Sequence, residues 1–188
     1  MESRQEIIDF GSRIPVKFFL HRIGNVPRHW HDSMELLFVL SGSAQAVVDD
    51  AAFTLGEDDV LLVNADSMHA LQADACVLAA FQIRLDMFDP NLIDAENAYF
   101  TCNSVLAPDP PRYAPLKRLM AMLLKHNAIR SPDIELYNKA LSYELLYVLM
   151  TGFRAERRAA AWQSARHLDR LTPVSYTHLA GDSQMTLP

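Results

Sequence analysis

Gly24-Asn25-Val26-Pro27-Arg28-His29-Trp30-His31-Asp32-Ser33-Met34-Glu35, running on into Leu36-Leu37-Phe38-Val39-Leu40-Ser41-Gly42, is the stretch on which the fold turns. Successive side chains of an extended segment point to opposite faces, so His29 and His31 share one. If the strand resumes in register after the polar break at Asp32-Ser33, Glu35 joins them. A carboxylate at the mouth of a run as apolar as Leu36 to Leu40 needs a cation, a donor or water, because burying it alone costs several kcal/mol. The two imidazoles are the obvious partners, directly or through a shared metal. The plainer alternative places His29 and His31 on the surface of a hairpin, with Trp30 as a core anchor and Glu35 facing solvent. A third histidine downstream, His69, and the glycines that frame the stretch favour the convergent arrangement.

Outward from this stretch, strand signals recur at short intervals between turn residues. Ile14 to Ile23 is β-rich, with Val16, Phe18 and Leu20 on one face. Glu35 to Leu40, Gln45 to Val48, Phe53 to Leu55, Val60 to Val63 and Cys76 to Leu85 follow, separated by Ser-Gly-Ser, Asp-Asp, Gly-Glu-Asp-Asp and Asn-Ala-Asp-Ser. Regular short strands point to a sandwich or a small closed barrel. Several are apolar on both faces, which predicts cover on the outside as well as filling inside. Asp58, Asp59 and Asp66 sit at turns, where Asp is ordinary turn chemistry.

Past Asp86 the pattern changes. The segment with Pro108, Pro110, Pro111 and Pro115 reads as a linker or irregular crossing. Leu116, Leu119, Met120, Leu123 and Leu124 then recur at helical spacing to about Asn127. Ser131-Pro132-Asp133 starts a second helix, with Ser131 as N-cap, and its apolar stripe through Ile134, Leu141, Leu145 and Leu149 is wide enough to pack on two sides. A third helical stretch, richer in Arg and Ala, is expected from Ala155 to about Leu171. Residues 173–188 show no periodicity and read as a non-native or disordered tail, so His178 is not counted as a ligand. The opening residues 1–13 read as an arm, flexible or packed on the sheet.

The chain has 188 residues, half of them hydrophobic and 21% charged, the profile of an ordinary globular protein with one sizeable domain and an appendage. The net charge of -6 is unevenly spread: residues 1 to 111 carry 6 Lys+Arg against 17 Asp+Glu, and residues 112 to 188 carry 11 against 6. The acidic front half argues against nucleic-acid binding by the sheet. The start has neither a signal peptide nor a spanning run, and Cys76 and Cys102 lack metal-ligand spacing. A cytoplasmic protein with reduced thiols and no membrane association is the expectation.

The spacing His29-x-His31, three residues, Glu35, six residues, Gly42 resembles the first motif of the cupins. Gly56 through Asn64, Asp66 and His69 is similar to part of the second, with His69 where the third histidine ligand stands. Asn64 replaces that motif's proline, Asp66 its second glycine, and Gly24 stands one residue closer to His29 than usual. The wording His-Trp-His-Asp-Ser-Met-Glu-Leu-Leu-Phe-Val-Leu-Ser-Gly more closely resembles the N-terminal effector-sensing domain of AraC-type transcription regulators, over roughly residues 14–172. The resemblance implies a mainly β fold with C-terminal α: an arm (1–13), a cupin-like jelly-roll barrel that senses a ligand (14–111) and a helical dimerisation and linker region (112–172). It implies a homodimer through the 116–150 helices, and contact with DNA only through a further domain that residues 173–188 do not fit.

Three uses of the site follow. His29, His31, Glu35 and His69 bind the polar groups of a small effector, a sugar or small acid, with Trp30 or barrel apolar groups against its carbon skeleton. Alternatively the four hold a divalent metal (Zn, Ni, Fe or Mn), or they form a self-satisfied polar cluster. The sensing, non-enzymatic function is the main expectation. The rival is a free-standing cupin metalloenzyme, of isomerase or dioxygenase type, with a 3-His-1-Glu site. No Ser-His-Asp order, phosphate-cradling glycine loop or CxxC motif offers another chemistry.

Overall fold

The structure, a computed structural model, describes residues 4–11, 14–127 and 132–156. Strands β1 (Arg4–Gln5), β2 (Val16–Trp30), β3 (Met34–Gly42), β4 (Ala44–Val48), β5 (Ala51–Leu55), β6 (Val60–Val63) and β7 (His69–Ile83) precede helices α1 (Pro110–Asn127) and α2 (Pro132–Gly152). The turns between short strands use the left-handed backbone that Asp tolerates, at Asp49 (φ 52°), Asp58 (φ 71°) and Asp66 (φ 64°).

β7 is the spine. Along one edge it pairs with β2, from Val16↔Ile83 to His29↔His69. Its other edge is shared: β3 takes the C-terminal half, from Met34↔Ile83 to Gly42↔Cys76, and β4 the N-terminal half, from Gln45↔Gln72 to Val48↔His69. β6 adds outside β3 and β5 outside β4, so two half-sheets share β2 and β7. Between Gln72 and Cys76 the ladders are interrupted on both edges of β7, and β2 has its register shift opposite, between Ile23 and Asn25. The half-sheets fold over one another about that line, as bulged strands can.

Gly42 sits on the fold line with φ 82°, and a Cβ there would lie 2.2 Å from the Ala75 carbonyl oxygen, so only glycine fits. Gly24 stands at the β2 shift, but a Cβ on it would meet nothing within 4 Å.

Two cores result. Leu37, Val39, Leu55, Leu61, Leu71 and Leu78 fill the space between the half-sheets. On the opposite face Leu36, Leu62, Phe81 and Ile83 meet Leu116, Leu119, Met120 and Leu123 of α1 and Leu141, Leu145 and Leu149 of α2. Each fully buried leucine contributes about 2 kcal/mol. The expected outside cover is therefore the helix pair.

Several expectations need correction. Among the described residues the barrel is not closed by hydrogen bonds: the strand path β1-β2-β7-β3-β6, with β4 and β5 branching off, is an open mixed sheet folded on itself. The edge of β6 is instead covered by a loop, with Leu62 N–H donating to Cys102 O (2.8 Å) and Ser104 N–H to Val60 O (2.9 Å). β2 and β7 run to Trp30 and His69, well past the expected strand ends. The proline segment is not all linker. α1 begins at Pro110, where a missing N–H costs nothing in the first turn, and the helix keeps Pro115 because Leu116 and Leu119 beside it are fully buried. The third helix does not begin at Ala155. Phe100 pairs with Arg154, and Ala155 N–H donates to Tyr99 O (2.9 Å), so the chain leaves α2 extended. Residues 157–171 of that expected helix, the tail 173–188 and the Ser131 cap lie outside the described residues.

The arm is packed on the sheet: β1 runs parallel to the end of β2, with Arg4↔His29 and Gln5↔Trp30 paired. No helix among the described residues is long and apolar enough to cross a membrane.

Candidate functional site

The ladder register builds the site in two rows. His29, His69 and Val48 lie side by side across β2, β7 and β4, and Gln82, Glu35 and Val63 across β7, β3 and β6. Gln82 and Glu35 continue the inward alternation of Ala80, Leu78, Leu37 and Val39, so this row faces the interior. His69 likewise continues from Leu71. Because the half-sheets fold over, both rows meet at one mouth of the barrel although His69 begins the 15-residue strand β7 and Gln82 is its last residue but one. His31 closes the group from the β2–β3 turn, which is tied down by Asp66 N–H donating to His31 O (2.9 Å).

The three imidazoles are oriented alike. His29 Nδ1 lies 2.8 Å from Pro27 O, His31 Nδ1 2.8 Å from Ser33 O, and His69 Nδ1 3.0 Å from Ser67 O. A carbonyl only accepts, so each Nδ1 carries the proton and each Nε2 is left for the interior. Ring centroids are 4.1 Å apart for His29 and His69, 4.8 Å for His31 and His69, and 5.8 Å for His29 and His31. One ring nitrogen of each lies within 4.8 Å of the others.

Glu35 stands beside this triad. Its Oε2 is 3.1 Å from His69 Nε2 and 4.0 Å from His31 Nε2. The first distance is that of an ion pair, but the alignment is not that of a hydrogen bond, and His69 Nε2 is a buried nitrogen with no hydrogen-bond partner. The contact is electrostatic. Burial opposes ionisation of Glu35, yet the approach of His69 and the fields of all three imidazoles outweigh it and hold the carboxyl down at about 2. Burial also lowers the pKa of His31, against the pull of Glu35.

Three residues of the site had not been expected. Ser33 Oγ–H donates to Gln82 Oε1 (2.6 Å), and Gln82 Nε2–H donates to Glu35 Oε1 (2.7 Å) and faces His31 Nε2 at 3.4 Å. That chain fixes the Glu35 carboxylate from behind. The third is Glu6, from the arm, whose Oε2 lies 3.2 Å from His29 Nε2. Burial works against a charged His29, but the hydrogen bond with Glu6 and the Pro27 carbonyl outweigh it and raise its pKa, while the same hydrogen bond lowers that of Glu6 against desolvation. Gln82 was legible as a lone polar residue on the inward parity of an apolar strand. Ser33 and Glu6 carry no such signal.

Trp30 is not brought to the imidazoles: it alternates to the other side of β2 from His29, is half-buried, and pairs with Gln5 of β1. Of the expected set, His29, His31, His69 and Glu35 come together.

The triad fits a divalent metal on the chemistry of its donors. Backbone carbonyls fix the outer nitrogens as they do for metal-bound histidines, and the inner Nε2 of His69 is without a partner. The group of mutually close donors is the three histidines, with Glu35 adjacent to it. The same array can offer neutral imidazole acceptors, a charged donor at His29 and an anionic acceptor at Glu35 to a small polar molecule.

Solved structures similar to this chain include a conserved protein of unknown function from Streptococcus pyogenes, at 22% identity over 37% of this chain and 62% of that one, with a TM-score of 0.34. A cupin-2 domain containing protein from Shewanella frigidimarina is 23% identical over 37% of this chain and 72% of that one, with a TM-score of 0.35. Oxalate decarboxylase from Bacillus subtilis is 19% identical over 42% of this chain and 23% of that one, also with a TM-score of 0.35. No curated protein matches the chain. The family described as AraC-like ligand binding domain matches residues 21–146, which span β2 to α2 and include His29, His31, Glu35, His69 and Gln82. With more than half of its length matched, and with the expected cupin-like β fold followed by helices, this chain belongs to the AraC-like ligand binding domain family.

Proposed function

We propose that the chain is the sensing part of an AraC-like transcription regulator, taking a small polar effector at His29, His31, Glu35 and His69. The observation that carries this reading is the common orientation of the three imidazoles, each fixed through Nδ1 with Nε2 turned inward beside an ionised Glu35. A polar network braced from behind by Gln82 and Ser33 is a preorganised set of donors and acceptors, which is how small-ligand sites obtain specificity. The bound state is passed to a DNA-binding domain outside this sequence through differential affinity for two arrangements of arm, sheet and helices. The free, buried thiols of Cys76 and Cys102 suit a reducing compartment.

Sugars and small acids, screened by thermal shift, test this directly. A true effector at about 100 times its Kd adds about 2.7 kcal/mol to the stability of the wild type. His31→Ala removes that gain. A ligand that stabilises both proteins equally binds elsewhere and refutes the assignment.

A second reading is supported by the same Nδ1 anchoring: a metalloenzyme with the three histidines and Glu35 holding a divalent ion. Bound there, the ion would supply a Lewis acid with open positions. Elemental analysis of untagged protein separates the two. Near-stoichiometric metal that disappears in His29→Ala/His31→Ala supports the metal site, and metal far below stoichiometry in both leaves the organic effector.

Dimerisation is assigned to the helix pair. Leu136, Tyr143 and Tyr147 recur at spacings of seven and four along α2, and are 73%, 40% and 66% exposed while Leu141, Leu145 and Leu149 on the other side are buried. An apolar stripe of this kind suits the centre of a helix-mediated interface. Leu136→Asp/Tyr147→Glu, placed at exposed positions, leaves the melting temperature of the monomer nearly unchanged and weakens self-association at least about 100-fold by analytical ultracentrifugation. Unchanged association would place the interface elsewhere.

A further inference from the structure

The site is almost closed with the arm in place. His31 and His69 are each 1% exposed, and the side chains of Glu35 and His29 are 10% and 12% exposed. A ligand that reaches these buried polar groups needs a wall to move. Of the strands around the site, β1 is the shortest, with two residues. It pairs with β2 at two positions, continued by Glu6 N–H donating to Trp30 O (2.8 Å), whereas β7 pairs with the same strand at eleven. Segments with so few backbone pairs open at little cost in free energy.

What β1 delivers to the site is a carboxylate. Glu6 Oε2 sits 3.2 Å from His29 Nε2, the one imidazole of the three that meets solvent to more than a few per cent. The other two imidazoles lie deeper, against groups of the sheet itself: Gln82 Nε2–H faces His31, and Glu35 Oε2 stands 3.1 Å from His69 Nε2. His29 is therefore the position from which a protein group can leave and a ligand group replace it.

Building on the sensing reading above, we infer that Glu6 is an internal stand-in for the effector: the effector is a small carboxylate that takes the place of the Glu6 side chain on His29 Nε2 and releases β1 from β2. The neighbouring Glu35 limits the incoming charge, since a second free anion close to it is disfavoured. A monocarboxylate is the fitting class. Neutral sugars would gain no such exchange, because they would leave His29 facing a hydroxyl in place of a carboxylate. Release of β1 turns occupancy of the site into a change of backbone structure at Arg4, Gln5 and Glu6.

Sodium acetate is the probe, with sodium chloride at equal ionic strength as the control. Titration calorimetry on the full chain and on Glu6→Gln measures affinity, and hydrogen exchange of residues 4–6 reads arm release. Acetate binds the wild type and accelerates exchange at the Glu6 amide. Glu6→Gln, which removes the competing charge, binds acetate about tenfold tighter. Glu6→Asp, which keeps the charge on a shorter stem, falls between the two. Equal affinity in wild type and Glu6→Gln overturns the proposal, as does binding without faster exchange. Failure of acetate to bind either protein overturns the carboxylate assignment alone, whereas the sensing reading falls only if no screened ligand discriminates wild type from His31→Ala.

Discussion

Gly42→Ala destabilises the fold by about 3 kcal/mol or more, a large fraction of the stability of an ordinary domain. The added Cβ would stand 2.2 Å from Ala75 O, with the Ala75 carbonyl carbon and Cys76 Cα at 3.2 Å, so it meets backbone in every direction that matters. The backbone cannot rotate away, since φ 82° is held by Gly42↔Cys76 pairing at the line where the sheet folds over. Gly24→Ala is the matched control: its Cβ enters open space, and the cost stays within about 1 kcal/mol. Urea denaturation of the two variants checks the contrast. Equal costs would show that the fold line is not where the strain is held.

The second large effect is on acid stability. Glu35 has its carboxyl depressed from an ordinary 4.5 to about 2 in the folded chain. Between those values the unfolded chain binds more protons than the folded one, so stability rises with pH there and is lost as pH falls toward 2. The term is on the order of 3 kcal/mol at neutral pH. Glu35→Gln removes the titration, and its unfolding free energy is flatter than the wild type's between pH 4.5 and 2 by that amount. His31 and His29 act higher up. The lowered pKa of His31 favours the folded state as pH rises toward its unfolded value, and the raised pKa of His29 gives stability that fades as pH rises through its folded value. Their opposite signs make the neutral range shallow beside the acid limb. An unfolding profile for Glu35→Gln that overlays the wild type's would show that the carboxylate is not held ionised by the imidazoles.

The run of short strands and both helices were legible because periodicity carried them: Val60 to Val63 appears with the expected bounds, and the two-sided apolar strands do have a core on each face. His29, His31 and Glu35 were found by alternation across a single break at Asp32-Ser33, and His69 through the resemblance to the second cupin motif. What periodicity does not encode is where a strand bends. Nothing in Gln72 to Cys76 announces that β7 turns back on itself, so Gln82 could not be placed opposite His69 from spacing alone. Glu6 was illegible for a different reason, since a two-residue parallel strand has neither length nor pattern. α1 was misread at its start because proline breaks helices in their interiors but is welcome in the first turn.

The fold-back of β7 also sets an order of events in synthesis. His29, His31 and Glu35 leave the ribosome well before their partners, and Gln82 sits one residue from the end of the strand that places it. Until Ile83 has emerged and paired with both Val16 and Met34, the nascent chain has the imidazoles but no pocket to hold them together. Recognition at this mouth therefore reports a finished sheet, and a chain interrupted before that residue is blind to its ligand.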